Sequence, residues 1–235
     1  MINLILFIFC FVVGVLLHHS KRMPVNTPAV LNTFIIHVSL PALTLLYVHD
    51  LNLSGPIGLM AGMAWILFAL SAGFFWLVGR WLNLPRATVG ALVLTGGLGN
   101  TSYLGLPMIE AFYGSEGLTT GIIVDQLGSF LVLSIMGITV AGFYSSGRPS
   151  IGVMFKRILQ FPPFIALVIA LIFIPTEYPE WFTLVLARLG DTLAPLALVS
   201  VGYQLRLGHL AGNGRNLAIG LGFKLVLAPL MLFIL

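Results

Sequence analysis

Few side chains in this sequence are able to do chemistry, and they cluster. The densest group is Gly96-Gly97-Leu98-Gly99-Asn100-Thr101-Ser102-Tyr103-Leu104-Gly105-Leu106-Pro107. An Asn such as Asn100 can donate to a carboxylate or accept from a cation without burying a charge; its other role is to cap or pack a helix. Thr101, Ser102 and Tyr103 add hydroxyls, which serve a ligand, bond back to backbone or join neighbouring helices. Gly99 and Gly105 suit an unwound path, and Pro107 suits the restart of a helix whose free N–H groups face an anion. Asp125, followed by Gln126, supplies a carboxylate for a proton or a cation, or a countercharge for Lys224. Lys224 itself is suited to pairing with an acid, attracting an anion or reaching towards headgroups. Arg188 and Asp191 are three apart and are expected to pair on one helix face. His37 reads as a hydrogen-bonded packing residue. No catalytic set is assigned: no G-x-S-x-G occurs, and no metal-ligand set is assigned either.

These residues sit in very apolar surroundings. The chain has 235 residues, 59% of them hydrophobic and 8% charged; soluble domains carry about 25% charged residues. That composition predicts an all-α polytopic membrane protein. The net charge of +4 is not a nucleic-acid signal, because the basic residues fall in short loops. Cys10 is the one cysteine, so no disulfide framework is expected. The apolar start lacks a basic leader and a small-residue cleavage site, and reads as a retained span.

A span needs about 20 apolar residues. Eight candidates cover 2–18, 27–48, 57–79, 87–112, 118–144, 158–174, 181–204 and 217–235. The glycine-rich group interrupts the fourth, and backbone freed there must be buried in protein or line a wet cavity. Successive loops carry Lys21 and Arg22, then Asp50, then Arg80 and Arg86, then Glu116, then Arg148, Lys156 and Arg157, then Glu177 and Glu180, then Arg206 and Arg215. The positive-inside rule then places the N-terminus outside.

Residues 40–53 align with 194–207 at an offset of 154, matching Pro41 with Pro195 and Leu51-x-Leu53 with Leu205-x-Leu207. The same offset lays spans 1 and 3 on spans 6 and 8. An odd number of intervening spans inverts the halves, as in transporters built from inverted repeats. The expected organisation is a first repeat over 1–144, with its break at 96–107, a cytoplasmic loop at 145–157, and an incomplete second repeat over 158–235. The repeat also predicts two further spans beyond Leu235, the first of them broken.

The stretch 99–107, Val124-Asp125-Gln126-Leu127-Gly128, the Pro162-Pro163 opening of span 6, residues 190–198 and residues 224–230 together resemble the auxin efflux carrier family, which includes plant carriers and bacterial permeases. The resemblance implies ten spans in two inverted five-span repeats. Spans 1, 2, 6 and 7 would form a scaffold, the others a mobile domain, and broken spans 4 and 9 would cross at the substrate. It implies secondary transport of a small organic anion, a dicarboxylate or an auxin-like acid, by elevator-type alternating access. Asn100, Thr101, Tyr103, Gly105 and Pro107 would bind substrate, and Asp125, Gln126 and Lys224 would carry proton or sodium coupling or charge relay. No cofactor is expected. A homodimer in the inner membrane of the cell is the implied assembly. The alternative is a non-transporting remnant that binds a membrane partner.

Overall fold

The computed structural model describes residues 2–49, 57–144, 151–174, 176–205 and 214–234. Asp50, Leu51, Leu53, Arg148, Arg206, Leu207, His209 and Leu235 lie outside them. The described residues form helices and no strand. In chain order the helices are α1 (Ile2–Ser20), α2 (Thr27–His49), α3 (Ile57–Trp81), α4 (Arg86–Gly97), α5 (Leu106–Tyr113), α6 (Glu116–Tyr144), α7 (Ile151–Leu159), α8 (Pro162–Phe173), α9 (Glu180–Gly190), α10 (Leu193–Gln204) and α11 (Gly214–Phe233). Helices α2, α3 and α6, the α9–α10 pair taken together, and α11 are each long and apolar enough to cross a membrane.

The chain forms two compact units, each drawn from three stretches. One comprises Met1–Gly55, Asn100–Gln126 and Leu159–Arg206; the other comprises Pro56–Gly99, Leu127–Ile158 and Leu207–Leu235. Boundaries between the units pass between Gly99 and Asn100, within α6 between Gln126 and Leu127, and within α7 between Ile158 and Leu159.

In the first unit α1 packs along α10, and α8 packs along the second half of α2. Lipid tails are as apolar as Leu, so helices in a bilayer associate through close van der Waals fit and polar contacts rather than by escaping water. Glycine permits that fit where α1 crosses α10. A Cβ on Gly14 would lie 2.3 Å from the Val199 carbonyl oxygen, and one on Gly202 would lie 2.2 Å from that of Phe11. In the second unit Phe68, Phe75, Val89, Leu92, Val93, Val132 and Phe223 are buried together. The rings of Phe74, Phe75 and Phe223 sit about 5 Å apart, within the range of favourable aromatic pairing.

Three π-helical turns share one rule. Ile35–Ser39, Thr101–Gly105 and Phe223–Leu227 each end two residues before a proline, namely Pro41, Pro107 and Pro229. A proline has no N–H to donate, and its ring clashes with the carbonyl four residues back. Here those carbonyls belong to His37, Tyr103 and Leu225, and each lies inside the wide turn. The residue before each proline, Leu40, Leu106 or Ala228, donates five residues back to Ile35, Thr101 or Phe223. The wider turn therefore accommodates the proline while the helix continues.

Several expectations need correction. The break in span 4 is narrower than 96–107: only residues 98–100 lie outside a helix or π-turn. Gly105 is helical (φ −62°, ψ −55°), so it does not serve an unwound path, and Pro107 lies within the continuing helix rather than at its restart. The loop 145–157 contains the start of helix α7, and span 6 begins its helix at Pro162 rather than 158. Span 7 is interrupted by a turn at Asp191 and Thr192, so Arg188 and Asp191 do not share a continuous helix and form no ion pair. His37 bonds to the Thr33 carbonyl at 2.9 Å but is exposed rather than packed.

The interruption in span 7 falls at the counterpart of the π-turn in span 2, at the 154-residue offset. The two interruptions touch, with Ser39 and Thr192 hydroxyls 2.8 Å apart.

The α1–α10 crossing yields a stability prediction. Gly14→Ala or Gly202→Ala should destabilise the detergent-solubilised protein by about 1–3 kcal/mol or more, because backbone on the facing helix cannot move aside as a side chain can. Gly73→Ala, whose Cβ would meet nothing within 4 Å, should leave the unfolding midpoint unchanged. Thermal unfolding followed by tryptophan fluorescence measures both.

Candidate functional site

The glycines and Asn100 end one helix and start another within the same span. Helix α4 stops at Gly97, and the backbone at Leu98 is extended (φ −107°, ψ 129°). The second half begins at Thr101 with Asn100 as its cap. Asn100 Oδ1 accepts from the Tyr103 N–H at 3.1 Å, and its main-chain oxygen accepts from the N–H groups of Leu104 and Gly105 at 3.3 and 3.0 Å. The side chain thus takes one of the donors that a helix start leaves unpaired, while the main-chain oxygen accepts the first bonds of the new helix. The Asn100 side chain is exposed, and its Nδ2 has no partner among the described residues. Asn100 therefore caps the half-helix and still presents a donor outwards.

Asp125 is buried at the first unit's edge of α6, where a π-helical stretch, Val124–Phe130, begins. Wide turns of this kind are common at functional sites. Its Oδ1 accepts from the hydroxyls of Thr101 and of Ser102, the latter at 2.7 Å. Its Oδ2 accepts from Gln126 Nε2 at 3.1 Å. Thr101, Ser102, Asp125 and Gln126 are thus brought together, and of the three roles expected for the hydroxyls those of Thr101 and Ser102 take the joining of neighbouring helices, by holding the carboxylate. Gln126 is fully buried, and its Oε1 has no hydrogen-bond partner among the described residues.

Tyr103 points elsewhere in the same unit. Its hydroxyl donates to the Asn32 carbonyl at 3.5 Å. The Asn32 side chain accepts from Ser200 at 2.6 Å, and Gln204 Nε2 reaches the main-chain oxygen and hydroxyl of Ser200 at 3.1 and 3.2 Å. Sequence reasoning passed over Asn32, Ser200 and Gln204. Their signal was simply that they are polar residues within spans 2 and 7. Asn32, Tyr203 and Gln204 open onto a cavity of about 730 Å³ that His18, Lys21 and Asn26 also line. His18 Nδ1 is buried there without a protein partner among the described residues.

Lys224 belongs to the second unit. Its Nζ donates to the carbonyls of Thr95 and Leu98, both at 2.8 Å. Those carbonyls end α4, where the last turn leaves oxygens unpaired and the helix dipole favours a cation. Lys224 is therefore the C-terminal clamp of the first half-helix. Pro107 is buried and lines a smaller cavity of about 160 Å³ beside Glu110 and Asp191.

The hydroxyl–carboxylate cluster makes a measurable prediction. Replacing Thr101 by Val together with Ser102 by Ala should cost about 1–3 kcal/mol, because a buried carboxylate loses two donors. In an Asp125→Leu background the same pair of changes should cost less than half as much. A double-mutant cycle on unfolding midpoints reads the coupling.

Comparison with known proteins places this geometry in a family. The family described as membrane transport protein matches residues 1–149, well over half of the chain. An uncharacterized transporter of Methanothermobacter thermautotrophicus is 28% identical over 204 residues, covering 86% of this chain and 66% of that protein. An uncharacterized transporter of Methanocaldococcus jannaschii is 26% identical over 185 residues, covering 75% of this chain and 59% of that protein. The chain thus spans 59–66% of the length of the curated relatives it matches. By the extent of the family match, this multi-pass membrane protein belongs to the membrane transport protein family, that of the auxin efflux carriers.

Proposed function

We propose that the chain acts in secondary transport of a small organic anion, with substrate held at the break around Asn100. The observation that carries this reading is the interruption of span 4 by residues 98–100, capped by a side chain that keeps an outward-facing donor. A helix break inside a membrane is tolerated where it is buried or lines a cavity, and half-helix N-termini that face a carboxylate recur in secondary transporters. Asn100 Nδ2 and the first N–H groups of the second half-helix would take the substrate carboxylate. Thr101 would act through Asp125, and Tyr103 through Asn32. Gly105 and Pro107 would shape the helix rather than touch the ligand.

Asp125 and Gln126 are the proposed coupling position, for a proton or sodium. In support, a buried carboxylate here carries three neutral donors and no countercharge among its described hydrogen-bond partners. Lys224 would contribute by holding the end of α4. The cavity bearing Lys21 and His18 is the proposed entry on the cytoplasmic side, where a cation would raise the local concentration of an anion.

The inverted repeat, an elevator-type movement, an N-terminus outside, residence in the inner membrane and a homodimer are further parts of this proposal. Two facts favour the repeat. The interruptions of α2 and of the α9–α10 pair fall at the 154-residue offset. The pairs α1 with α10 and α8 with α2 are exchanged by that same offset.

Uptake into proteoliposomes by the protein expressed from its complete reading frame tests the site. Across a panel of labelled dicarboxylates and aromatic acids, Asn100→Ala should abolish accumulation and lower stability by the roughly 0.5–2 kcal/mol of a lost cap, whereas Asn100→Asp, which keeps the capping oxygen and loses the outward donor, should abolish accumulation with melting unchanged; undiminished uptake overturns the assignment. Lys21→Gln should raise KM several-fold at low ionic strength with kcat retained, and the difference should shrink as salt screens the field.

A further inference from the structure

We propose that α7 (Ile151–Leu159) is an interfacial anchor that lies among the lipid headgroups and engages anionic lipid. The helix is short and strongly two-sided. Ile151, Phe155, Ile158 and Leu159 recur at helical spacing on one face, with Lys156 and Arg157 off it. Most of the apolar side is uncovered: Ile151 is 83% exposed, Phe155 62% and Leu159 52%, with Ile158 half-buried. No described helix packs along α7. Nine residues rise only about 14 Å at 1.5 Å each, half of the roughly 30 Å of a bilayer core. The helix therefore cannot cross, yet its apolar face needs a cover.

Its surroundings in the chain name that cover. Only Gln160 and Phe161 separate α7 from α8, so the helix ends lie at most about 11 Å apart. Phe161 is extended (φ −79°, ψ 113°), and its carbonyl accepts from Ile165 at 3.1 Å. Pro162 and Pro163 then start the apolar helix without needing N–H partners of their own. A helix tied this closely to the mouth of a span stays at the membrane surface. The charges agree with that place: Lys156 and Arg157 belong to one of the basic loops, and the cytoplasmic leaflet carries anionic lipid. Basic residues beside an exposed apolar stripe are the composition of helices that lie in the interface plane.

The test uses the whole chain in vesicles of phosphatidylcholine, with or without phosphatidylglycerol. In a Cys10→Ala background, Phe155→Cys on the apolar face and Arg157→Cys off it carry the same environment-sensitive fluorophore. Lipids spin-labelled near the headgroup should quench the label at 155 several-fold more than that at 157, and a water-soluble quencher should show the reverse order. Lys156→Gln with Arg157→Gln should reduce lipid quenching at 155 in the anionic vesicles and leave it unchanged in the neutral ones. Equal access of the aqueous quencher to both positions overturns the anchor. Protection of 155 from both quenchers also overturns it, because protein rather than lipid would then cover the face. Lipid quenching indifferent to the two charge removals overturns the assignment to anionic lipid.

Discussion

A bilayer offers no hydrogen-bond partner to the backbone, and the arrangement around residues 98–100 answers that constraint. Ending a helix inside a membrane exposes carbonyls on one side of the break and N–H groups on the other. Lys224 takes the carbonyls of Thr95 and Leu98. Asn100 takes the N–H groups of Tyr103, Leu104 and Gly105. Each side of the break thus has a dedicated partner whose character matches the local dipole: a cation where oxygens are bare, and oxygens where N–H groups are bare.

The same constraint accounts for the π-turns. Pro41, Pro107 and Pro229 would each leave a carbonyl without its donor and press a ring into it. Widening the preceding turn keeps the chain helical and passes the hydrogen bond to the residue before the proline. The prolines are therefore compatible with continuous spans, and the break in span 4 is due to Leu98, Gly99 and Asn100 rather than to Pro107.

Buried polar groups follow a related logic. Asp125 is surrounded by donors from Thr101, Ser102 and Gln126, so among the described residues the carboxylate has partners without an ion pair. The second half of span 4 is thereby tied to α6 through its first two residues, and Asn32 connects Tyr103 to Ser200. In a bilayer such contacts and close backbone approach replace the hydrophobic effect as the source of helix association. Gly14 and Gly202 serve the second means, where α1 and α10 meet too closely for any Cβ.

The amino-acid sequence by itself determined that the chain is helical, that span 4 is broken, and which polar residues lie within spans. Lipid imposes long apolar runs, so each departure from them stands out in one dimension. That is why Asn100, Asp125 and Lys224 were legible. Their partners were not. Ser200 finds Asn32 across 168 residues, and Lys224 finds Leu98 across 126; spacing along one helix cannot announce such meetings. The extent of the break was misread for a similar reason, since glycine and proline tolerate several conformations and only the surrounding hydrogen bonds choose among them. Helix α7 was read as loop because a nine-residue amphipathic segment is too short to resemble a span. The tertiary structure alone decided that Asp125 rests on hydroxyls and that Lys224 closes a helix end, because both outcomes depend on which donors and acceptors the folded chain brings within 3 Å.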